Sequence, residues 1–327
     1  MTISVIKQQP ALAQLPDNYL IQLSGLSAIT LSGDDQLNYL QGQVTCDVQQ
    51  LTDNVLLNGA HCDAKGKVYS VFRLFKRDEA FWLLQPKVTL PVSLSALQKF
   101  GVFAKVTITE QQHNQCYALV GQQAGDILKA HFTQVPDSMT PVVQYGSTTL
   151  IYISHLNNIS RYLLIDNSEQ FSLLNQKLAL PIYSQAVWNL HEIIAGFPLL
   201  NQSAIGEYVP QMLNVQAING ISFTKGCYLG QETVARMQYL GRNKRALFIL
   251  SGNADKNITL DDVIEQQLGE NWRSAGKLLS FYQSDNGDLY IQAVLAHNIE
   301  GKLRLRTTSE KAYPLIKTEL PYSLSQA

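Results

Sequence analysis

Eight consecutive residues, Lys225–Glu232, combine the side chains of a reactive thiol site in the order Lys-Gly-Cys-Tyr-Leu-Gly-Gln-Glu. Gly226 and Gly230 allow positive φ angles or close backbone approach, so a sharp turn around Cys227 is predicted. A short helix is predicted over Gln231–Gln238, which places the thiol near a helix N-terminus. That N-terminus and the adjacent lysine both favour the nucleophilic thiolate. The pattern predicts a functional thiol, and its alternative is a small buried packing residue.

The cysteines show no spacing typical of a zinc ribbon or a disulfide framework. No two of them form a C-x-x-C pair, which fits a reducing compartment; they are Cys46, Cys62, Cys116 and Cys227. His61 and Asp63 flank one of these cysteines, and strand alternation puts those two residues on one face with the thiol on the other. Two ligands are too few for a closed metal site, so no metal is predicted.

Length and composition predict a multidomain globular protein. The chain has 327 residues, 46% hydrophobic and 16% charged, with a formal net charge of −1. Binding of nucleic acid would therefore depend on a local basic patch rather than on the whole surface. The first twenty residues include Gln8-Gln9-Pro10 where a signal peptide needs an apolar core, and no run reaches the length of a membrane span. These features predict a cytoplasmic protein that does not associate with membranes.

The cysteine motif also resembles a known family. K-G-C-Y-x-G-Q-E is similar to the signature of the YgfZ family, folate-binding relatives of the aminomethyltransferase (T-protein) of the glycine cleavage system. Further matching segments span nearly the whole chain: Tyr39–Thr45 with Asp47, His61–Lys67, Ala195–Pro198, Pro210-Gln211 with Asn214 and Gln216, Lys244–Leu247 and Leu320–Leu324. The resemblance implies a bound tetrahydrofolate or derivative and a functional Cys227 with Lys225 beside it. It further implies a role in maintaining or assembling iron–sulfur enzymes, including those that modify tRNA.

The implied fold is α+β. The resemblance gives an aminomethyltransferase-like fold with two α+β (ferredoxin-like) domains around a central cavity and a small C-terminal β-barrel. The hydrophobic pattern agrees, because residues 55–108 alternate as β-β-β-α-β and short strands recur after residue 246. The predicted domains are residues 1–50 with 181–240, residues 51–180, and residues 241–327.

One predicted helix, Ile182–Ala195, carries a tryptophan away from its apolar stripe. On a helical wheel Trp188 and Glu192 share a side nearly opposite that stripe, which is formed by Tyr183, Ala186, Val187, Leu190 and Ile194. The indole packs against another domain or lines a cleft. In the resembling family an aromatic residue here is associated with folate, so Trp188 is a candidate to stack on the ligand and Glu192 to accept hydrogen bonds from it.

The other candidate folate contacts follow from the resemblance and from charge. They are Leu26, where some relatives have tryptophan, and Tyr228, Gln231, Glu232, Arg236 and Arg245. The basic residues Arg236, Arg242, Lys244 and Arg245 lie in a stretch without acidic residues between Thr233 and Asn253. Such a patch can bind the glutamate tail of a folate or a phosphate, and the alternative is a solvated strand end.

The turn Asp63–Lys67 is predicted to line the cavity, with Asp63, Lys65 and Lys67 as candidates to face a ligand carboxylate. Aminomethyltransferases carry an acidic residue near the position of Ser70, so the acid or base for aminomethyl transfer is not visible here. Two other functions stay open beside the folate-binding role. One is a folate-dependent one-carbon transferase, and the other is an RNA-binding module that uses the Arg236–Arg245 patch.

Overall fold

The structure, a computed structural model, describes residues 4–239, 241, 244–255 and 257–324. In chain order the strands are β1 (Asn18–Gln22), β2 (Leu26–Ser32), β3 (Leu57–Cys62), β4 (Val68–Arg77), β5 (Ala80–Pro86), β6 (Thr107–Glu110), β7 (Asn114–Gly121), β8 (Val142–Tyr145), β9 (Thr148–Leu156), β10 (Ile159–Asn167), β11 (Ile182–Tyr183), β12 (Arg245–Asn253), β13 (Val263–Leu268), β14 (Asn271–Gln283), β15 (Asp288–Ala296), β16 (Leu303–Arg306) and β17 (Ala312–Thr318). The helices are α1 (Gln36–Gln41), α2 (Leu90–Phe100), α3 (Ala124–Lys129), α4 (Ser168–Leu178), α5 (Gln185–Ile194) and α6 (Gln231–Tyr239). Short 3-10 helices lie at Leu12–Gln14, Val48–Gln50, Gln202–Ala204 and Pro210–Leu213.

Two sheets form the larger part of the molecule. One has five antiparallel strands in the order β3-β4-β5-β2-β6, and the other has six in the order β11-β1-β7-β10-β9-β8. In the second sheet only the pairing of β1 with β11 is parallel. The central strands β5 and β10 are buried on both faces, so they are almost continuously apolar, whereas the edge strands β6 and β8 are partly exposed.

Alternate residues of one strand reach two different cores. On β5, Phe81 and Leu83 pack beneath α2, whereas Trp82 and Leu84 point into the layer between the two sheets. That layer also contains α5 and residues of β1, β7 and β10. On the outer face of the six-stranded sheet, α3 and α4 complete a third core around Tyr117.

The C-terminal residues form a closed six-stranded barrel in the order β12-β15-β14-β13-β16-β17. The predicted barrel is therefore confirmed, and closure leaves it no free sheet edge. Gln292 of β15 joins the barrel to the rest of the chain, because its amide donates to the carbonyl of Phe197 at 2.8 Å and accepts from the N–H of Leu199 at 3.1 Å. A further apolar cluster around Leu213 and Leu247 fills the junction.

The chain passes between the two sheets more than once. β1 and β2 both fall within residues 1–50, but they belong to different sheets because the chain crosses from one sheet to the other at residues 23–25. Residues 51–180 likewise contribute strands to both sheets. Ser24-Gly25 marks the first crossing as a break between strands, but local composition does not show that the next strand joins another sheet.

Candidate functional site

The cysteine loop is docked onto two other segments of the chain. The N–H of Leu229 donates to the carbonyl of Gly42 at 3.0 Å, and Ser222 N–H donates to Thr45 O at 2.9 Å. Gly230 has φ +81°, and a Cβ there would lie 2.5 Å from the carbonyl oxygen of Asp63. The predicted need for glycine is confirmed at this position. The same prediction is wrong for Gly226, because its φ is not positive and a Cβ added there would lie in open space.

Cys227 is exposed, unlike the other three cysteines. It lies in an open cleft of about 460 Å³ that Tyr228, Gln231, Glu232 and Phe100 also line. Cys46 and Cys62 are buried and Cys116 is partly buried. Burial raises the pKa of Cys46 and of Cys116 to about 12, and it also raises the pKa of Cys62. Three thiols are thus held protonated in apolar surroundings, and the fourth is open to a reactant.

Lys225 anchors the loop. Its Nζ donates to the carbonyl oxygens of Val44 at 2.9 Å and Cys46 at 2.7 Å, and it lies 5.1 Å from the ring centroid of Tyr228. Burial lowers the pKa of this lysine to about 8. The ammonium therefore satisfies backbone acceptors of the segment beneath the loop and fixes where the thiol is presented.

The helix that follows the loop begins where the sequence predicts it. α6 starts at Gln231, and Glu232 in its first turn pairs with Arg236 one turn later at 2.8 Å. Both side chains of this pair are more than half exposed. Such an exposed pair contributes less than about 1 kcal/mol to the stability of the fold. Its main effect is on the shape of the cleft rim.

Trp188 and Glu192 lie in the layer between the two sheets and are fully buried. Glu192 accepts from both guanidinium nitrogens of Arg73 at 2.7 and 3.0 Å and from Arg161 at 2.8 Å. The indole lies 5.9 Å and 5.2 Å from the same two guanidinium groups. Burial lowers the pKa of Arg161, and Glu192 opposes that shift. The carboxylate is therefore occupied by two arginines, one from each sheet.

The helical-wheel argument misplaced Trp188 relative to the core. α5 contacts β1 and also the barrel strands β14 and β15, so residues all round the helix are buried. A helix enclosed in this way has no solvent-facing side. A polar residue such as Glu192 therefore indicates an internal ion pair rather than an exposed face. The indole N–H of Trp188 has no hydrogen-bond acceptor within the described part of the chain.

A cavity of about 430 Å³ opens between the two sheets beside Leu26. Its apolar wall is formed by Leu26, Trp82, Leu84 and Ile165, and its polar lining includes Gln115 and Lys87. The volume lies in the range of small-molecule sites, and an apolar wall with a few polar groups is typical of them. Sequence reasoning missed Trp82, although the alternation of β5 was a signal that it shares a face with Leu84.

Comparisons with known proteins agree with the motif. A family model described as "YgfZ, beta-barrel domain" matches residues 243–310. The "tRNA-modifying protein YgfZ" of Colwellia psychrerythraea is 57% identical over 325 residues, 99% of each chain. The protein of the same name from Yersinia pseudotuberculosis is 41% identical over 309 residues, 94% of this chain and 93% of that one. This chain belongs to the YgfZ family.

The fold of this YgfZ-family chain is that of an aminomethyltransferase. The crystal structure of the glycine cleavage system aminomethyltransferase T from Bartonella henselae superposes with a TM-score of 0.71 at 14% identity, covering 96% of this chain and 86% of that one. The predicted α+β class is confirmed. The position predicted to lack an acid, Ser70, is buried and its hydroxyl is hydrogen-bonded to that of Thr89 at 3.0 Å.

The remaining predicted contacts are spread over three places. Leu26 lines the cavity between the sheets; Tyr228, Gln231 and Glu232 line the cysteine cleft; Arg245 lines a groove at the barrel. Arg236 lies on α6, Lys244 is exposed, and Arg242 lies outside the described residues. The structure does not bring this set together in one cavity of the YgfZ-family fold.

The turn after β3 is ordered by its own aspartate. Asp63 Oδ1 accepts from the N–H groups of Lys65 and Lys67, both at 2.8 Å. Lys65 is exposed, and Lys67 Nζ donates to the carbonyl of Glu207 at 2.7 Å. The neighbouring His61 is buried and bonded to Ser93, so it faces away from any ligand. Over the residues that the structure describes, no three His, Cys, Asp or Glu side chains form a metal-binding group.

Among the described residues, no helix is both long enough and apolar enough to cross a bilayer.

Proposed function

We propose that this YgfZ-family protein binds a folate in the cytoplasm and maintains or assembles iron–sulfur enzymes, and thereby supports tRNA modification. In this role Cys227 is the functional thiol. The observation that carries the proposal is the position of Cys227, which is exposed in an open cleft while the other cysteines are wholly or partly buried. The curated relatives at 57% and 41% identity are named for tRNA modification.

The loop supplies a thiol in a defined place. The backbone is held on both sides of Cys227. On one side Gly230 packs against Asp63, and on the other Lys225 donates to the carbonyls of Val44 and Cys46. A cysteine presented in this way acts as a nucleophile or as a soft ligand towards sulfur or iron on a client protein. In this proposal the cluster itself belongs to the client.

The folate is assigned to the cavity beside Leu26. A folate offers a flat heteroaromatic ring and acidic carboxylates. The apolar wall of Leu26 and Trp82 suits the ring, and Lys87 at the cavity suits a carboxylate. Trp188 belongs to the same apolar layer as Trp82 but is fully buried and does not line this cavity, so it packs behind the ligand site. Glu192 supports this layer through its two arginines.

The thiol is tested by exchanging one cysteine at a time. Cys227→Ser is expected to fold like the wild type, because the side chain is exposed, but to fail to restore tRNA thiolation and growth under oxidative stress in cells lacking the protein. Cys62→Ala is the control; it removes a buried thiol that lines neither the cysteine cleft nor the cavity assigned to folate, and it should complement. Iodoacetamide should modify one cysteine rapidly in the native protein, and none rapidly in Cys227→Ser. Full complementation by Cys227→Ser would overturn the proposed role of the thiol.

A further inference from the structure

A basic groove of about 610 Å³ lies where the barrel meets the rest of the chain. It is lined by three cationic side chains, Lys67, Arg245 and Lys277, and by one acidic residue, Glu207. Tyr208 contributes an aromatic ring to the same lining. With a formal net charge of −1 for the whole protein, this local excess of positive charge stands out from the average surface.

The walls of the groove are connected by hydrogen bonds. The N–H of Val68 donates to Tyr208 O at 2.8 Å, which ties the start of β4 to the segment before Pro210. Asn201 bonds to the carbonyls of Leu278 and Leu279 at 3.1 and 2.9 Å, which ties the same segment to β14. The guanidinium of Arg245 donates to Val294 O at 3.1 Å. The groove is thus a fixed surface rather than a flexible loop.

Positive charge continues beyond the lining. Lys65 and Lys244 are exposed neighbours in sequence of Lys67 and Arg245, and the chain has no acidic residue from Thr233 to Asn253. Basic residues beside an aromatic ring, as with Tyr208 in this groove, are typical of a surface that follows a nucleic-acid backbone.

We propose that this groove binds the phosphate backbone of tRNA, so that the protein contacts the RNA directly. This goes beyond the proposed function, in which tRNA is reached through client enzymes. Cations distributed over a groove of this size suit successive phosphates better than a single small anion. The groove shares no lining residue with the cavity assigned to folate, which argues against a folate tail as its occupant.

Salt dependence of binding tests the proposal. A fluorescently labelled tRNA transcript is titrated with the full-length protein between 50 and 200 mM salt, conditions over which phosphate contacts weaken steeply. Lys67→Gln/Lys277→Gln should weaken binding by about tenfold at low salt and reduce the log–log salt slope by about 1 for each lysine. Lys277→Gln is also tested alone, because this side chain is exposed and its exchange should not disturb folding even if loss of the Lys67 hydrogen bond does. The matched control is Lys177→Gln, an exposed lysine on α4.

Each outcome decides the question. Absence of saturable binding at 50 mM salt, or equal slopes for Lys277→Gln and Lys177→Gln, overturns the proposal. Absence of saturable RNA binding together with an affinity for pentaglutamyl tetrahydrofolate that falls in Lys277→Gln also overturns it, since the groove would then hold the folate tail. Tetrahydrofolate affinity is measured for the same variants and should be unchanged. A failure of RNA binding is therefore distinguishable from a failure of folate binding or of the thiol.

Discussion

Trp82 gives the cavity between the sheets an aromatic wall, and this leads to a prediction for ligand binding. Tetrahydrofolate should quench the tryptophan fluorescence of the protein in a saturable way. Trp82→Phe keeps an apolar ring but reduces the stacking area, so it should weaken affinity by about three- to tenfold, equivalent to roughly 0.7–1.4 kcal/mol. Fluorescence and calorimetric titrations measure the effect.

The control for this prediction is Trp272→Phe on the barrel, which lies outside the cavity and beneath Arg304. It should leave the affinity unchanged. Equal affinity of the Trp82→Phe variant and the wild type would count against the cavity as the folate site. A loss seen only in Trp188→Phe would move the ligand deeper, to the layer around Glu192.

Local sequence made Cys227 and Lys225 candidates, because the flanking glycines, the helix start and the motif that resembles the family are all local features. It did not reveal that the lysine is bonded to Val44 and Cys46, since those carbonyls come from a segment 179–181 residues away. It also missed Trp82. The side of a strand that faces a cavity depends on which sheet packs against it, and only the tertiary structure decides that.

At the scale of one element, α5 holds a buried ion cluster that stability measurements can detect. Glu192→Gln leaves Arg73 and Arg161 buried without their common counter-charge. The free energy of unfolding should fall by about 3–5 kcal/mol. Urea denaturation followed by circular dichroism measures the change.

Glu232→Gln is the matched control for the ion cluster. It removes the same charge from a pair with Arg236 whose side chains are 85% and 57% exposed. Its expected cost is less than about 1 kcal/mol because solvent screens the pair. Similar costs for the two variants would show that the cluster around Glu192 adds no specific stability.

Elements with one apolar face were easier to predict than enclosed ones. α6 begins at the predicted Gln231 and ends at Tyr239, one residue beyond its predicted end. α5 was found, but its buried side was not, because both sheets and the barrel surround it. Short strands were expected after residue 246, but the positions of β13 and β17 depend on the pairing that closes the barrel rather than on local pattern.

At the scale of the whole molecule, the candidate sites lie at junctions between structural units. The cavity of Leu26 lies between the sheets, and the basic groove lies between the barrel and the segment around Tyr208. Fold class and barrel followed from the sequence, because they depend on the order of elements. The junctions did not, because they depend on how the two sheets and the barrel pack against one another.

Two buried histidines make the whole fold sensitive to acid. Burial lowers the pKa of His61 to about 4, where its neighbours are Ser93 and Tyr69. Burial and the adjacent Arg161 lower the pKa of His191 to about 3, and this ring is hydrogen-bonded to Tyr19. Both rings are neutral in the folded protein at a pH at which the unfolded chain, with a histidine pKa near 6.5, binds protons.

The unfolded state therefore binds more protons than the folded state from about pH 6.5 down to pH 4, so stability is lost as pH falls through this window. Each histidine contributes a slope of up to about 1.4 kcal/mol per pH unit. Urea denaturation at pH 7.0, 6.0 and 5.0 should show a steep loss for the wild type. His61→Gln and His191→Gln should each be less stable at pH 7 but lose less on acidification. A double variant with the wild-type pH dependence would show that other groups, not these two rings, govern acid unfolding.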